Sequence, residues 1–186
     1  MKNFAFILCI LFLVDIAAAG ESIPQRVIKV ENGIAHVDIV GDGTPGLIVS
    51  GHRENFNAHS FNVVSFYLQL DISGTKEWYI VPLMGNDKEE WSVTVGGGAD
   101  CLLHDFRLLA KQGKEPPTLV LADRELGKSF ATPASVKFSY YRLMHHPDGM
   151  PGFPPYAFEL SRVVKAKANY CDVGDALKSE LGIRQP

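Results

Sequence analysis

Short segments in which apolar and polar residues alternate recur along the sequence, and they constrain the fold more than any other feature. Residues 135–144 alternate cleanly, and residues 61–70 are rich in β-branched and aromatic side chains. Further strand candidates lie at 26–30, 34–39, 47–52, 77–81, 91–95, 118–122 and 156–167. The turns between them draw on 17 glycines and 11 prolines. Many short strands at regular spacing predict an all-β fold, an antiparallel β-sandwich.

Three local patterns refine this prediction. The Asn32-Gly33 turn predicts a hairpin between residues 26–30 and 34–39. Residues 101–111 fit a helix nearly as well as a strand, and we predict a strand because their surroundings are β. Near the C-terminus, Asp172 is expected to cap a short helix over residues 175–181, which ends at Gly182.

The N-terminal residues have the pattern of a secretory signal peptide. Lys2 precedes an apolar run over residues 4–14, and Ala17-Ala18-Ala19 supplies a small-residue cleavage site. The run is shorter than the roughly 20 residues that span a bilayer. We therefore expect residues 1–19 to be removed and residues 20–186 to form one exported β-sandwich domain without a stable membrane anchor.

The charge and the cysteines of the mature chain carry two further expectations. The formal net charge is −3 at pH 7, which argues against nucleic acid as a partner because that role calls for a concentrated basic face. Only Cys101 and Cys171 remain after processing. In an oxidising compartment this pair predicts one disulfide, which would close a loop of about 70 residues and stabilise the fold by roughly 4 kcal/mol.

Residues 51–61 form the most polar connection between two strand candidates. A strand that leads into such a loop is how a rigid scaffold presents a binding surface. In this interpretation the donors for a ligand carboxylate or carbonyl are His52, Arg53, Asn55, Asn57 and His59. Arg53 would be the anchor, because its planar guanidinium can grip a carboxylate with two hydrogen bonds.

A structural interpretation of the same stretch stays open. Arg53 would then pair with a buried acid, and the amides of Asn55 and Asn57 would bond to the backbone and hold two strands in register. We favour the structural role for Asn55 and Asn57, and the ligand role for His52 and Arg53.

Two sequence patterns suggest cation sites. Residues 38–46 match part of a calcium loop, with Asp38 and Asp42 at the first and fifth positions but Val40 at the third. A weak calcium-like site and a tight Asp-Gly turn are both consistent with this pattern. A zinc site built from His52, Glu54, His59 and His104 is a further hypothesis, against which the alternative is hydrogen-bonded loop histidines.

The catalytic motifs in the chain are incomplete. Ser73-Gly74-Thr75-Lys76 matches the S-x-x-K of serine β-lactamases, but the companion motifs S-D-N and K-T-G are missing from the sequence. The zinc-hydrolase patterns H-x-H-x-D and H-E-x-x-H are missing as well. We therefore expect a protein that is not an enzyme.

Residues 51–61, preceded by the V-D-x-x-G-D-G frame of residues 37–43, resemble the carbapenem intrinsic resistance family. The likeness extends to Asp100-Cys101, to Asp148-Gly149-x-Pro151-Gly152 and to Tyr170-Cys171-Asp172-Val173. It implies a periplasmic β-sandwich with short terminal helices, a homodimer and a cation site. It also implies a structural kinship with periplasmic inhibitors of invertebrate-type lysozyme.

The resemblance implies a function as well. Such a protein would confer intrinsic resistance, or self-immunity, to a carbapenem by sequestering the drug or by shielding a cell-wall target. The alternative is a periplasmic inhibitor of lysozyme, in which the proline-rich residues 147–155 would form a preorganised loop that plugs the enzyme's cleft.

Overall fold

The computed structural model describes residues 26–86, 88–96, 100–111, 113–146 and 150–184, so the predicted signal peptide lies outside it. Its elements are β1 (Arg26–Ile28), β2 (Gly33–Val37), β3 (Gly46–Arg53), β4 (Phe61–Ile72), β5 (Thr75–Ile80), β6 (Leu83–Met84), β7 (Glu89–Glu90), β8 (Val93–Gly96), β9 (His104–Ala110), β10 (Thr118–Arg124), β11 (Ala134–His145), β12 (Tyr156–Tyr170) and α1 (Val173–Leu181). The all-β prediction with a short terminal helix is confirmed. No helix in the described residues is long and apolar enough to cross a membrane.

The strands form one hydrogen-bonded sheet whose two halves pack face to face. The strand order is β2-β3-β4-β8-β9-β10-β11-β12-β6-β7, with β5 paired to β4 and β1 paired to β9. Pairing is antiparallel except between β6 and β12. Ile48 and Phe66 of the first half pack in one buried cluster with Leu108, Leu119 and Phe158 of the second half. This core makes the sheet a β-sandwich.

Helix α1 covers the outer face of the second half. Leu177 packs there with Val120 and Phe138 in a second buried cluster. The helix begins after Asp172, whose side chain accepts a hydrogen bond from the Gly174 N–H at 2.6 Å, and ends at Gly182, where φ is 68°. The predicted cap and end are confirmed, and the helix starts two residues earlier than predicted.

Residues 101–111 contain a strand, β9, as predicted. Five of its seven residues are buried because one face packs in the core between the sheets and the other lies under α1. A strand that is buried on both faces has no need of a polar face. This explains why its sequence does not alternate and fits a helix nearly as well.

The predicted hairpin between residues 26–30 and 34–39 is wrong. Strand β1 pairs with β9, with Arg26 opposite Ala110, whereas β2 pairs with β3. Gly33, at φ 111°, starts β2 in the other half of the sandwich. Val27 and Ile28 are half-buried at the edge of β9, so long-range burial outweighs the local turn signal.

A disulfide joins Cys101 and Cys171, the pair expected from the sequence. It links the segment before β9 to the segment between β12 and α1, 70 residues apart. The Val173 N–H donates to the Leu102 carbonyl at 3.0 Å beside it. The disulfide therefore attaches the start of α1 to the sheet that the helix covers.

Candidate binding site

Residues 54–60 connect β3 to β4 in a loop whose conformation is fixed largely by Glu54. Its Oε1 accepts hydrogen bonds from the Phe56 N–H and from the Ser60 hydroxyl, both at 2.6 Å. The Asn55 N–H donates to Ser60 Oγ at 3.1 Å. The Ser60 and Phe56 hydrogen bonds, with His52 nearby, lower the pKa of Glu54. The carboxylate therefore stays ionised and keeps accepting these bonds in mildly acidic solution.

The two loop asparagines bond to the backbone of one residue. Asn55 Nδ2 donates to the His59 carbonyl at 2.8 Å, and Asn57 Oδ1 accepts from the His59 N–H at 2.9 Å. These are the backbone contacts of the structural interpretation, although the side chains lie at the surface and not in the core. The His59 ring lies edge-on to the Phe130 ring, with 6.4 Å between their centroids.

His52 and Arg53, adjacent in β3, point to opposite faces of the sheet. His52 Nδ1 lies 2.9 Å from Asn62 Oδ1, and its Nε2 lies 3.4 Å from Glu54 Oε2. The two oxygens that face the ring can only accept hydrogen bonds, so they raise the pKa of His52, Asn62 more than Glu54. The Arg53 guanidinium instead stacks over the Phe61 ring at 5.4 Å. The five predicted ligand residues therefore do not converge on one point.

Phe56 is the most exposed large apolar residue in the loop, at 95% of its reference area. Its φ is 53°, in the left-handed region that residues other than glycine seldom occupy. The hydrogen bond from its N–H to Glu54 holds it there. The loop thus projects an aromatic ring into solvent from a backbone that its own hydrogen bonds fix.

The predicted calcium loop forms a tight turn. Asp38 accepts from the Gly41 N–H at 2.6 Å and from the Gly43 N–H at 3.0 Å, while Asp42 accepts from the Thr44 N–H at 2.8 Å. The hydrogen bonds from Thr44 lower the pKa of Asp42. Backbone N–H groups thus bond to both carboxylate oxygens of Asp38 and to Oδ1 of Asp42, and the calcium-like site stays a prediction.

The four residues of the zinc hypothesis do not form a cluster. His104 Nδ1 lies 2.9 Å from Asp123 Oδ1 on the neighbouring strand β10, and not beside the β3–β4 loop. Among the described residues, no group of three or more His, Cys, Asp and Glu side chains could hold a metal ion.

A cleft opens beside His52 where the sheet is interrupted. Within the described residues, β8 pairs with β9 only at His104, and β1 pairs with β9 only from Leu108 onward. The cleft between them has a volume of about 270 Å³. Ser50 and Asn62, from β3 and β4, line it. Asn62 therefore connects the polar loop to the cleft.

A buried ion pair closes the interrupted edge of β9. Arg107 Nη1 donates to Asp105 Oδ2 and to the Phe106 carbonyl, each at 2.6 Å. Asp105 Oδ1 accepts from the Phe106 N–H at 2.8 Å. The two side chains are 7% and 5% exposed. They replace the strand that would otherwise bond to Phe106, since buried backbone groups need partners.

Sequence reasoning missed this cleft and its residues. Asp105 and Arg107 stand two apart in a strand that is otherwise almost wholly apolar, which places both on one face. An acid and a base at that spacing in a buried strand are the signal that could have identified the pair. The gap beside them depends on where β1 and β8 pair, and the local sequence does not encode that.

The molecule is thus an all-β sandwich with a rigid polar loop beside a polar-lined cleft. A family model described as "Carbapenem resistance protein CarG-like" matches residues 30–179, and the chain belongs to that family. The crystal structure of CarG is similar, with a TM-score of 0.67 and 22% identity, over 83% of this chain and 94% of that chain. At this identity the likeness shows the shared fold. A comparison with curated protein sequences gives no match.

These comparisons confirm the family that the sequence resembles. They do not address the predicted kinship with lysozyme inhibitors, which stays a prediction.

Proposed function

We propose that the protein is an exported, non-enzymatic binding protein that protects its cell from a carbapenem by sequestering the drug. The observation that carries this proposal is the match of residues 30–179 to the CarG-like carbapenem resistance family. Shielding of a cell-wall target is the second version of the same role. The two versions differ in whether the purified protein binds the drug.

The position of Ser73 supports a binding role over hydrolysis. Ser73 and Gly74, at φ 57° and 83°, form the exposed turn between β4 and β5. Two consecutive residues with positive φ are typical of a type I′ hairpin. The nucleophile of a serine β-lactamase instead opens a buried helix, so the S-x-x-K match is a feature of this turn.

A tolerance assay tests the proposal. The full chain, with its N-terminal residues, is expressed in a carbapenem-susceptible host, and the lowest inhibitory concentration is measured. We expect tolerance to rise, while purified protein leaves the β-lactam absorbance of the drug unchanged. Unchanged tolerance with export demonstrated would contradict the proposal, and ring opening by the purified protein would replace binding with catalysis.

Two single variants assign the role to one face of the sheet. Arg53→Ala removes the cation that stacks on Phe61, and His52→Gln alters the face that carries Asn62. Both residues are exposed, so their melting temperatures should stay near that of the wild type, within about 0.5 kcal/mol. If Arg53 anchors the ligand, only Arg53→Ala abolishes protection. A large loss of stability in Arg53→Ala would instead reveal a structural role.

Inhibition of a lysozyme is the second candidate function, and the projecting Phe56 favours it. A fixed loop that carries one exposed aromatic ring can enter an enzyme cleft at low entropic cost. The predicted plug at residues 147–155 lies partly outside the described residues. Inhibition of invertebrate-type lysozyme that Phe56→Ala weakens would support this function. Failure against the invertebrate, chicken and goose types would remove it.

Periplasmic location, a homodimer and a calcium-like cation at Asp38 and Asp42 complete the proposal. Cell fractionation tests the periplasmic location, and light scattering of the purified mature chain tests the homodimer. A calcium titration in which the melting temperature is measured tests the cation site. An unchanged melting temperature at millimolar calcium would contradict the cation site, since a ligand that binds only the folded state must stabilise it.

A further inference from the structure

The outer face of the first half of the sandwich, which comprises β2, β3, β4, β5 and β8, carries apolar side chains. Successive residues of a strand point to opposite faces of its sheet. Ile48, Val64 and Phe66 point into the buried core between the two halves, so the residues next to them in β3 and β4 point outward. The apolar residues at the centre of this outer face are Ile34, Leu47, Val49, Tyr67, Trp78 and Ile80.

The register of the strands places these side chains next to one another. Leu47 of β3 lies opposite Tyr67 of β4, which lies opposite Ile80 of β5. Val49 of β3 lies opposite Ile34 of β2. Directly opposed residues of antiparallel strands have Cβ atoms about 5 Å apart. These residues therefore form one continuous apolar surface that crosses four strands.

No layer packs on this surface, the uncovered face, in the part of the chain that the structure describes. None of its six central residues belongs to either buried cluster, whereas α1 covers the outer face of the second half. Ile34 is 67% exposed and Ile80 37%. Trp78, two residues before Ile80 and so on the same face of β5, is 41% exposed. A contiguous exposed apolar surface of this kind marks an interaction site.

The lysine, arginine and aspartate of the uncovered face stand at its two ends. Lys76 lies opposite Asp71 beside the turn between β4 and β5, so their charges offset each other. Arg53 stands at the other end, where β3 finishes. At the centre, the Ser65 hydroxyl donates to the Tyr67 hydroxyl oxygen at 3.3 Å, so it can be buried without losing a partner. An uncharged centre that contains aromatic residues is the usual composition of the core of a protein interface.

The size of the uncovered face suits one side of a stable interface. Strands β2, β3 and β4 lie side by side, with β5 and β8 end to end along the far edge of β4. At about 4.8 Å between strands and about 3.3 Å per residue, this area has a footprint of roughly 600 Å². Side chains that project from a sheet expose more surface than the footprint. The face therefore approaches the roughly 800 Å² that each partner buries in a standard interface.

We propose that a second copy of this chain covers the face, so that two first halves pack sheet against sheet across a two-fold axis. The assignment rests on the homodimer of the proposed function and specifies its interface. A two-fold axis brings the same surface of both copies together, and a face without charge at its centre can meet itself without repulsion. Sheets stack face to face about 10 Å apart with their strands roughly aligned. The second copy thus supplies the layer that the first half lacks.

A dimer that joins two sheets edge to edge is the competing arrangement. In the described part of the chain, β2 and β5 each pair on one side only, and a second copy could extend the sheet at either edge. Such a dimer would leave the centre of the uncovered face, at Val49 and Tyr67, in contact with solvent. Substitutions at the centre therefore distinguish the two arrangements.

Sedimentation velocity of the mature chain over a range of concentrations tests the assignment. We expect a dimer, with a dissociation constant that Val49→Lys and Ile80→Lys each raise at least about ten-fold, because each places a charge inside the interface. Leu126→Lys is the matched control. Leu126 is 55% exposed in the loop between β10 and β11 of the second half, so this variant should dimerise as the wild type does. Circular dichroism verifies that the variants are folded.

Trp78 supplies a second measurement that leaves the interface intact. The chain has two tryptophans, so Trp91→Phe makes Trp78 the only one. Its fluorescence emission should shift to longer wavelength when the protein is diluted below the dissociation constant, because the ring moves from the interface into water. This arm keeps the proposal falsifiable if the lysine variants fail to fold.

Three results would overturn the assignment. A wild-type chain that stays monomeric at every concentration would remove the interface and the homodimer together, and would leave the face to a different partner. A dimer that Val49→Lys leaves intact, or whose Trp78 emission stays constant on dilution, would remove the face and leave the homodimer standing. Selective dissociation of Leu126→Lys would move the interface to the other half. Carbapenem tolerance is measured separately, so a chain that dimerises through this face without protecting its host fails the protective function alone.

Discussion

At the scale of single residues, Asp105 and Arg107 form a buried ion pair. Each has a buried side chain, and each bonds both to its partner and to the backbone of Phe106. Removing one member of such a pair leaves the other charge buried and uncompensated. The pair therefore closes the gap between β1 and β8, and a substitution of either residue should lower the free energy of unfolding.

Asp105→Ala should consequently lower the free energy of unfolding by about 3–5 kcal/mol. The variant strands the Arg107 charge and removes the acceptor of the Phe106 N–H. Urea denaturation followed by circular dichroism measures the loss. Asp71→Ala, at an exposed position of β4, is the control and should change stability by less than about 0.5 kcal/mol. Similar small losses in both variants would show that the ion pair is not required to close the edge.

His146 links stability to pH. Its Nε2 lies 2.7 Å from Glu159 Oε1 and its Nδ1 2.8 Å from the Pro154 carbonyl. The hydrogen bond to Glu159 is the main cause that raises the pKa of His146. A raised folded-state pKa gives stability that is complete below the unfolded value of about 6.5 and is lost as pH rises through the folded value.

The wild type should therefore lose more stability than His146→Gln between pH 6 and pH 8. Urea denaturation at pH intervals measures the difference between the two proteins. His36→Gln alters an exposed histidine of β2 and should keep the wild-type pH dependence. Parallel curves for the wild type and His146→Gln would contradict the assigned linkage.

At the scale of elements, the turn between β2 and β3 depends on one close backbone approach. A Cβ atom on Gly41 would lie 1.8 Å from the Lys114 carbonyl oxygen, whereas one on Gly43 would meet no described atom within 4 Å. Both glycines have positive φ, 89° and 93°. They share the backbone cost of an alanine substitution and differ in the steric cost.

Gly43→Ala should thus destabilise the protein by about 1–2 kcal/mol, and Gly41→Ala by roughly 1–3 kcal/mol more, because the backbone at Lys114 must shift. Thermal unfolding of both variants gives the comparison. Equal losses would mean that the two turns do not approach each other as closely as the structure places them.

The elements also show what the sequence could predict. The alternation in residues 135–144 predicted β11, and the β-branched and aromatic side chains of residues 61–70 predicted β4, because such residues suit the half-buried faces of a sheet. The pairing of β1 with β9 could not be predicted in this way, since it joins residues some 80 positions apart and depends on the burial of Val27 and Ile28. A local Asn-Gly signal has no information about that distant edge.

The candidate site was predictable to a similar degree. Residues 51–61 form a polar loop at the end of a strand, as the composition indicated. The opposite orientations of His52 and Arg53 follow from their adjacency in β3, so this division was within reach of the sequence. The cleft could not be predicted from the sequence, because it forms only where β8 and β1 leave residues 105–107 of β9 unpaired on that edge.

At the scale of the whole molecule, three layers are stacked: one half of the sandwich, the other half, and α1. Of these, α1 is the smallest, with nine residues, and a helix of that length depends on packing for its stability. Val173, Ala176 and Leu177 provide that packing against β10 and β11. The disulfide from Cys171 to Cys101 holds the helix start against the same layer.

Replacing both cysteines with serine should lower the free energy of unfolding by about 4 kcal/mol, because the unfolded chain regains the entropy of a loop of 70 residues. Denaturation of the wild type with and without reductant gives the matched comparison, since reductant should reproduce the loss in the wild type and leave the double variant unchanged.

Hydrogen exchange shows which elements lose protection when the disulfide is removed. Loss of the unfolded-state constraint should speed exchange throughout the molecule. Because the disulfide also attaches the start of α1 to the sheet, amides of the helix should lose more protection than those of β10, which pairs with both β9 and β11. A uniform acceleration across α1 and β10 would mean that the disulfide acts solely through the unfolded state, and unchanged stability would mean that it constrains neither state.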